Sequence, residues 1–161
     1  MNNKGFTLVE VITVIAIIAL LGVITVPSIL NTLDTGRNAS DKVLYNNIKT
    51  SLQTMYEEID YTNSEIYSYN TNGKTSTKIT ITSNTINTNI QTLVSNGFLT
   101  GIKNNDTTSN KNLKIVLNSK NEDLGKCSIS ITKHKDGNKI YYEITSNSSY
   151  DYCPKTEDFG G

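Results

Sequence analysis

The feature that most limits how this chain can fold is a run with almost nothing to offer water: from Phe6 to Leu30 it reads FTLVEVITVIAIIALLGVITVPSIL. As a helix, roughly 25 residues extend about 37 Å, enough to cross a bilayer. A segment apolar all round has no face to give a small water-soluble domain. The 161 residues therefore divide into an anchor and one soluble domain of modest size. The run is too long for the core of a secretory signal peptide, about 7 to 15 residues, and no clear small-residue cleavage site follows it. The small residue comes first instead: Gly5 follows Lys4 and precedes the apolar run. Cleavage at that glycine falls on the cytoplasmic side and leaves the whole helix attached to the rest of the chain.

Glu10 is the second anomaly, a carboxylate one helical turn beyond Phe6. Unpaired at the bilayer centre it would cost roughly 2.5–3.5 kcal/mol. Two readings follow. Near the interface it snorkels to water and has no role. Alternatively, removal of residues 1–5 frees an amine on Phe6, and that cation on a neighbouring copy neutralises Glu10 inside the membrane or a filament, setting axial register. The heptapeptide Lys4-Gly5-Phe6-Thr7-Leu8-Val9-Glu10, followed by an apolar helix with Pro27, resembles the N-terminus of type IV pilins and pseudopilins. The resemblance implies that a membrane prepilin peptidase cuts after Gly5 and methylates Phe6, and that Glu10 is the family's glutamate. Gly22 and Pro27 fall where the family's helix bends or melts locally, consistent with a proline that removes a helical hydrogen bond. The short leader is more similar to the type IVa branch. The resemblance covers about Lys4 to Leu30; everything downstream is read from pattern.

The implied fold class is α+β and pilin-like: a long N-terminal α-helix, half membrane-spanning and half amphipathic, packed on a small antiparallel β-sheet. Residues 1–5 are the leader, 6–30 the transmembrane and polymerisation helix, and 31–161 an extracytoplasmic globular domain. The amphipathic half has Leu44, Ile48, Leu52, Met55, Tyr56 and Ile59 on one stripe and Lys42, Asn46, Asn47, Lys49, Gln53 and Glu57 opposite. Gly36 is a weak point between the halves. Tyr61 to Gly73 reads as loop, with Asn72-Gly73 a turn. Lys78 to Thr82 alternates as a strand, and Ile86, Ile90, Leu93 and Val94 fit a short helix that stops at Gly97. Asn104 to Asn110 has no apolar residue and reads as a solvated loop. Three alternating stretches then suggest one antiparallel meander: Leu113, Ile115 and Leu117; Cys127, Ile129 and Ile131; Ile140, Tyr142 and Ile144. Asn121 to Gly125 turns the first into the second, and Asp136-Gly137 is a hairpin signal between the second and third.

Cys127 and Cys153 both lie in the part outside the membrane, where oxidising conditions allow a disulfide. The other reading is two unpaired thiols. Cys127 shares phase with Ile129 and Ile131, so its sulfur points to the core face, and the returning tail delivers Cys153 there just before Pro154. A C-terminal disulfide loop, often displayed at the surface, is also what the resembled family leads one to expect.

Composition excludes several function classes. Fifteen basic residues are scattered among fifteen acidic ones for zero net charge, so no basic face is available to a nucleic acid backbone. Heavy use of Asn, Thr and Ser with no tryptophan describes a wet surface over a thin core. His134, the one histidine, sits in a Lys-His-Lys stretch by the hairpin turn, where exposure is ordinary. HExxH, GxSxG, GxxxxGKS and paired CxxC motifs are all missing, so the reading is of a non-enzymatic chain without cofactor or metal. The acidic residues Asp106, Glu122, Asp123, Asp136, Glu157 and Asp158 match no EF-hand spacing.

The resemblance thus implies a structural subunit of a type IV pilus, held singly across the cytoplasmic membrane before assembly and in a surface filament after it. Its partners would be other pilins, prepilin peptidase, membrane lipid, and an inner-membrane assembly platform driven by a cytoplasmic ATPase. The rival readings are a pseudopilin of a type II secretion or DNA-uptake system, and a single-pass surface binding protein that never polymerises.

Overall fold

The computed structural model describes residues 5–70, 73–103 and 114–160. By packing, the chain divides into a unit ending at Ala39 and one running from Ser40 to Gly161, and one 55-residue helix, α1 (Leu8–Thr62), contributes residues to both. It is assigned as helix through Gly22, Pro27 and Gly36 without a break.

In the first unit the described apolar side chains face outward, Phe6 by 85 % and Leu20 by 66 %. Among the described residues α1 is the one helix long and apolar enough to cross a membrane, by length and composition. Its threonines suit that setting: the Thr13 and Thr25 hydroxyls donate to the Val9 and Leu21 carbonyls one turn back, at 2.8 and 2.9 Å. No hydroxyl of this pair is left needing water.

In the second unit α1 buries Ile48, Leu52, Met55, Tyr56 and Ile59, with Leu44 packed alongside, which is the stripe expected from the spacing. The helix ends at Thr62, past the expected boundary, and Asn63 adopts a left-handed φ of 53°, a conformation asparagine tolerates at a helix end. What reads as a loop from Tyr61 to Gly73 is in part a hairpin: β1 (Tyr67–Asn70) pairs antiparallel with β2 (Gly73–Lys78). Asn72 of the expected turn lies outside the described residues.

The strand expected at Lys78 to Thr82 stops at Lys78. Ile79 still donates its N–H to the Ile66 carbonyl at 2.8 Å, and then the chain reverses. Ser83 and Asn84 both have positive φ, 50° and 60°, and Thr82 and Thr85 exchange two 2.9 Å backbone bonds across them. Two central residues with φ > 0 match the twist of the flanking strands, as in a type I′ turn. Out of that turn comes β3 (Thr85–Asn89), so Ile86 belongs to a strand and not to the helix whose spacing it happens to continue.

The helix itself, α2 (Ile90–Ser95), starts where Asn89 caps it, its side chain accepting the Thr92 N–H at 2.9 Å. It ends in a Schellman arrangement: Phe98 N–H reaches Leu93 O at 2.9 Å, Gly97 N–H reaches Val94 O at 3.2 Å, and Gly97 takes φ 84°.

The main sheet has the order β3-β6-β7, all antiparallel, with β6 (Ser128–Asp136) central and β7 (Lys139–Ser146) at one edge. The β6–β7 hairpin is as expected, closed by a two-residue loop in which Gly137 has φ 59°. The third strand differs from the expectation. The stretch around Ile115 forms only β5 (Lys114–Ile115), paired with β4 (Ile102–Lys103) in a separate ladder, and Val116, not Ile115 or Leu117, is buried there. Leu113 and the Asn104 to Asn110 loop lie outside the described residues. Ile140, expected on the core face, is 47 % exposed beside the hairpin turn, and of its set Ile144 is buried and Tyr142 half-buried.

Candidate functional site

The N-terminal site is built from consecutive residues. Gly5 has open space where a Cβ would be, and Phe6 is exposed. Thr7 stands immediately before α1. Its N–H donates to Glu10 Oε2 at 2.8 Å, its hydroxyl donates to the same oxygen at 2.7 Å, and the Glu10 N–H reaches Thr7 Oγ1 at 3.3 Å. This reciprocal pair is a capping box, satisfying two donors that the start of a helix otherwise leaves orphaned. The sequence Thr7-Leu8-Val9-Glu10 carries the T-x-x-E signature, which sequence reasoning passed over in favour of a partner on another chain. Within one copy, then, Glu10 has a partner three residues away. A methyl group added at Gly22 would meet nothing within 4 Å, so the helix surface there is open to a neighbour.

The second feature is the C-terminal segment of the soluble unit. Cys127 and Cys153 form a disulfide with Cα atoms 5.6 Å apart, both residues buried, as the strand phase requires. Sequence reasoning missed the other anchors of the tail. Phe159 is buried against Tyr45, ring centroids 6.2 Å apart, and Lys49 Nζ donates to the Phe159 and Gly160 carbonyls at 2.7 and 3.1 Å. Lys49 lies on the polar face of α1, and no local pattern pairs it with a residue 110 positions away.

The sheet meets α1 through polar as well as apolar groups. Tyr142 packs edge-on to Tyr56 at 5.5 Å and donates its hydroxyl to Glu57 at 3.1 Å; burial and that bond push its phenol up to about 12. Lys133 reaches Asp60 at 2.7 Å, and this bond raises its ammonium above the ordinary lysine range. Burial, followed by the charges of Asp41, Asp158 and Glu122, pushes Tyr45 up to about 12. His134 is at the sheet rim, 2.9 Å from Glu143 and stacked on Tyr141.

Of the acidic residues weighed for calcium, Glu122 accepts from Asn118, Asp123 caps the 3-10 turn Leu124–Lys126, and Asp158 accepts the Lys155 N–H. Asp106 lies outside the described residues, and among the described ones no group of three carboxylate, histidine or cysteine ligands converges.

These elements define a class: an α+β chain with a long N-terminal helix, apolar in its first part, small antiparallel sheets, and a disulfide that ties the start of β6 to the C-terminal segment. The comparison with protein families narrows it. The family model described as the prokaryotic N-terminal methylation motif matches residues 1–26, the signal motif of type IV pilins and pseudopilins. With the apolar helix it fits a membrane-anchored precursor of pilin-like or pseudopilin type, and it speaks in general for peptidase processing and assembly with other pilins. No curated protein and no solved structure matches the chain.

Proposed function

We propose that this chain is a structural subunit of a type IV pilus. The observation that carries the reading is the methylation motif at residues 1–26 set directly on a helix long and apolar enough to cross a membrane. In this reading residues 1–5 are the leader, 6–30 the membrane and polymerisation helix, and 31–161 the domain outside the membrane. Peptidase cleaves between Gly5 and Phe6, and Phe6 acquires the methyl group. Glu10 then exchanges its capping bonds for the Phe6 amine of an adjacent copy, and Gly22 and Pro27 let the helix adjust as copies pack. Burying the apolar helices against each other replaces lipid, and the charge pair selects one register.

Mass spectrometry of the membrane form tests the processing: the expected species begins at Phe6 and carries one added methyl group, and a chain still beginning at Met1 would refute it. Glu10→Ala should abolish filaments while leaving cleavage intact. A pseudopilin role in a secretion or uptake system shares the same motif. Antibody to the soluble unit labelling long surface fibres is the outcome expected here, and labelling confined to the envelope would favour that second role.

A further inference from the structure

The outer edge of β7 is open. The two-residue loop makes Asp136 and Lys139 the first bonded pair, and strict alternation then turns the backbone of Tyr141, Glu143 and Thr145 toward β6. The N–H and C=O groups of Ile140, Tyr142, Ile144 and Ser146 point away from the sheet. Ser146 confirms the phase, because its N–H is taken by Thr156 Oγ1 of the tail at 3.1 Å. Among the described residues nothing bonds to the outward backbone of Ile140, Tyr142 or Ile144. Beside them runs a groove of about 1190 Å³ walled by the tail, with Tyr141 48 % and Tyr150 47 % exposed.

We propose that a second copy of this chain adds its own β7 to this edge, antiparallel and two-fold symmetric about Tyr141. A row of alternating donors and acceptors is matched only by another extended backbone. Natural edges are usually blunted by proline, a bulge, charged side chains or a covering loop. This edge has neither proline nor register shift, and its charges are self-complementary. Lys139 and Glu143 share the solvent face four residues apart, so pairing centred on Tyr141 sets each Lys139 opposite a Glu143 of the other copy. It also covers the exposed Ile140 and Tyr141 side chains. Shifting the centre to Tyr142 puts Glu143 opposite Tyr141 and calls on the Ser146 N–H that Thr156 already holds. Parallel pairing in register aligns like charges. The tail thus stops the ladder at Ile144, and opposite charges choose among the registers that remain.

Such a pair relates oppositely directed strands. It therefore joins copies of separate filaments, or anchored copies side by side, and not successive subunits of one polar filament. The inference does not depend on processing at Gly5.

The test uses the full chain in detergent micelles. At the symmetry centre the two Tyr141 positions form a non-hydrogen-bonded pair with Cα atoms about 4.5 Å apart, within disulfide reach. Tyr141→Cys should give a covalent dimer under mild oxidation at least about tenfold faster than Lys135→Cys, whose two copies would sit three strand spacings and two residues along the strand, about 16 Å, apart. Adding Glu143→Lys to Tyr141→Cys should slow the reaction about tenfold, and further adding Lys139→Glu should restore it. Peptide mapping of the intact Cys127–Cys153 bridge reports that each variant is folded. Equal rates for the two cysteine variants, a charge reversal that is not rescued, or a product other than two copies of the chain would overturn the proposal.

Discussion

Replacing Cys127 and Cys153 together by alanine measures how far the soluble unit relies on a cross-link instead of a core. The bridge closes a loop with a sequence separation of 26. Chain-entropy reasoning assigns such a closure about 3.5 kcal/mol at 25 °C, acting on the unfolded state. The other anchors of the tail, Phe159 under Tyr45, Lys49 on two carbonyls and Thr156 on Ser146, act only in the folded state. They do not restore what the unfolded chain gains when the bridge is gone. A unit of about 120 residues has an unfolding entropy near 250 cal/mol/K, so the double variant should melt about 14 °C lower than the parent. The assay is the near-ultraviolet circular dichroism of the full chain in micelles, for which the nine tyrosines supply the signal. Reduction of the parent should reproduce the shift. A change below about 3 °C, under 1 kcal/mol, would refute the reasoning and assign the tail's stability to its side-chain anchors.

Gly125→Ala should cost about 1–3 kcal/mol in urea unfolding, because its methyl would lie 2.7 Å from Oε1 of the fully buried Gln91 and 3.1 Å from Asp123 Oδ1. Asn89→Ala should cost about 1 kcal/mol, since Asn89 Oδ1 accepts both the N–H and the hydroxyl of Thr92, and an unchanged urea midpoint would show the cap to be dispensable. Tyr45 and Tyr142 each hold their phenols near 12 against an ordinary 10, so the neutral form is the folded one. That stability is complete below about pH 10 and is lost as pH rises toward about 12; Tyr142→Phe should flatten this part of the urea-midpoint curve, and an unaltered slope would count against the assignment.

Where one physical effect dominates locally, the fold is legible in the residues. The buried stripe of α1 follows from spacing alone, since Ile48, Leu52, Met55 and Tyr56 return every three or four residues to one face. The β6–β7 hairpin follows from alternation around a glycine turn. Legibility fails where the chain is rich in Asn, Thr and Ser. Thr85-Ile86-Asn87-Thr88-Asn89 has one apolar side chain, so its strand character comes from the ladder with β6 and cannot be seen before the partner is known. Ser83-Asn84 makes a tight reversal without glycine, so only the tolerance of Asn84 for positive φ announces that the strand expected at Lys78 to Thr82 gives way to a turn. The expected meander takes the wrong third strand for the same reason: Ile115 alternates well but lies in a two-residue ladder, whereas β3 alternates poorly and holds the edge of the main sheet.

The same division runs through the candidate site. Gly5 and Glu10 are visible in sequence because each is chemically out of place, a glycine before an apolar run and an acid within it, and Phe6 follows as the residue after the glycine. The identity of the acid's partner is a different matter, because a carboxylate reports that it needs donors without reporting which. In a single copy the need is met by Thr7, through the backbone N–H and hydroxyl of the residue that starts the helix. Both bonds end on Oε2, so an incoming amine either takes Oε1 or displaces Thr7, and where it displaces Thr7 the inter-chain pair contributes only the difference between a cationic donor and these neutral ones. That difference grows as water and lipid headgroups are excluded. In the proposed filament the exchange is consequently favoured inside a packed bundle of helices and not at an exposed helix start. Thr7→Val removes the hydroxyl while retaining the N–H. On this account it should leave Glu10 more available and lower the subunit concentration needed for filament formation in a detergent-dilution assay, whereas a raised threshold would mean that the capping box is what keeps the helix start in order.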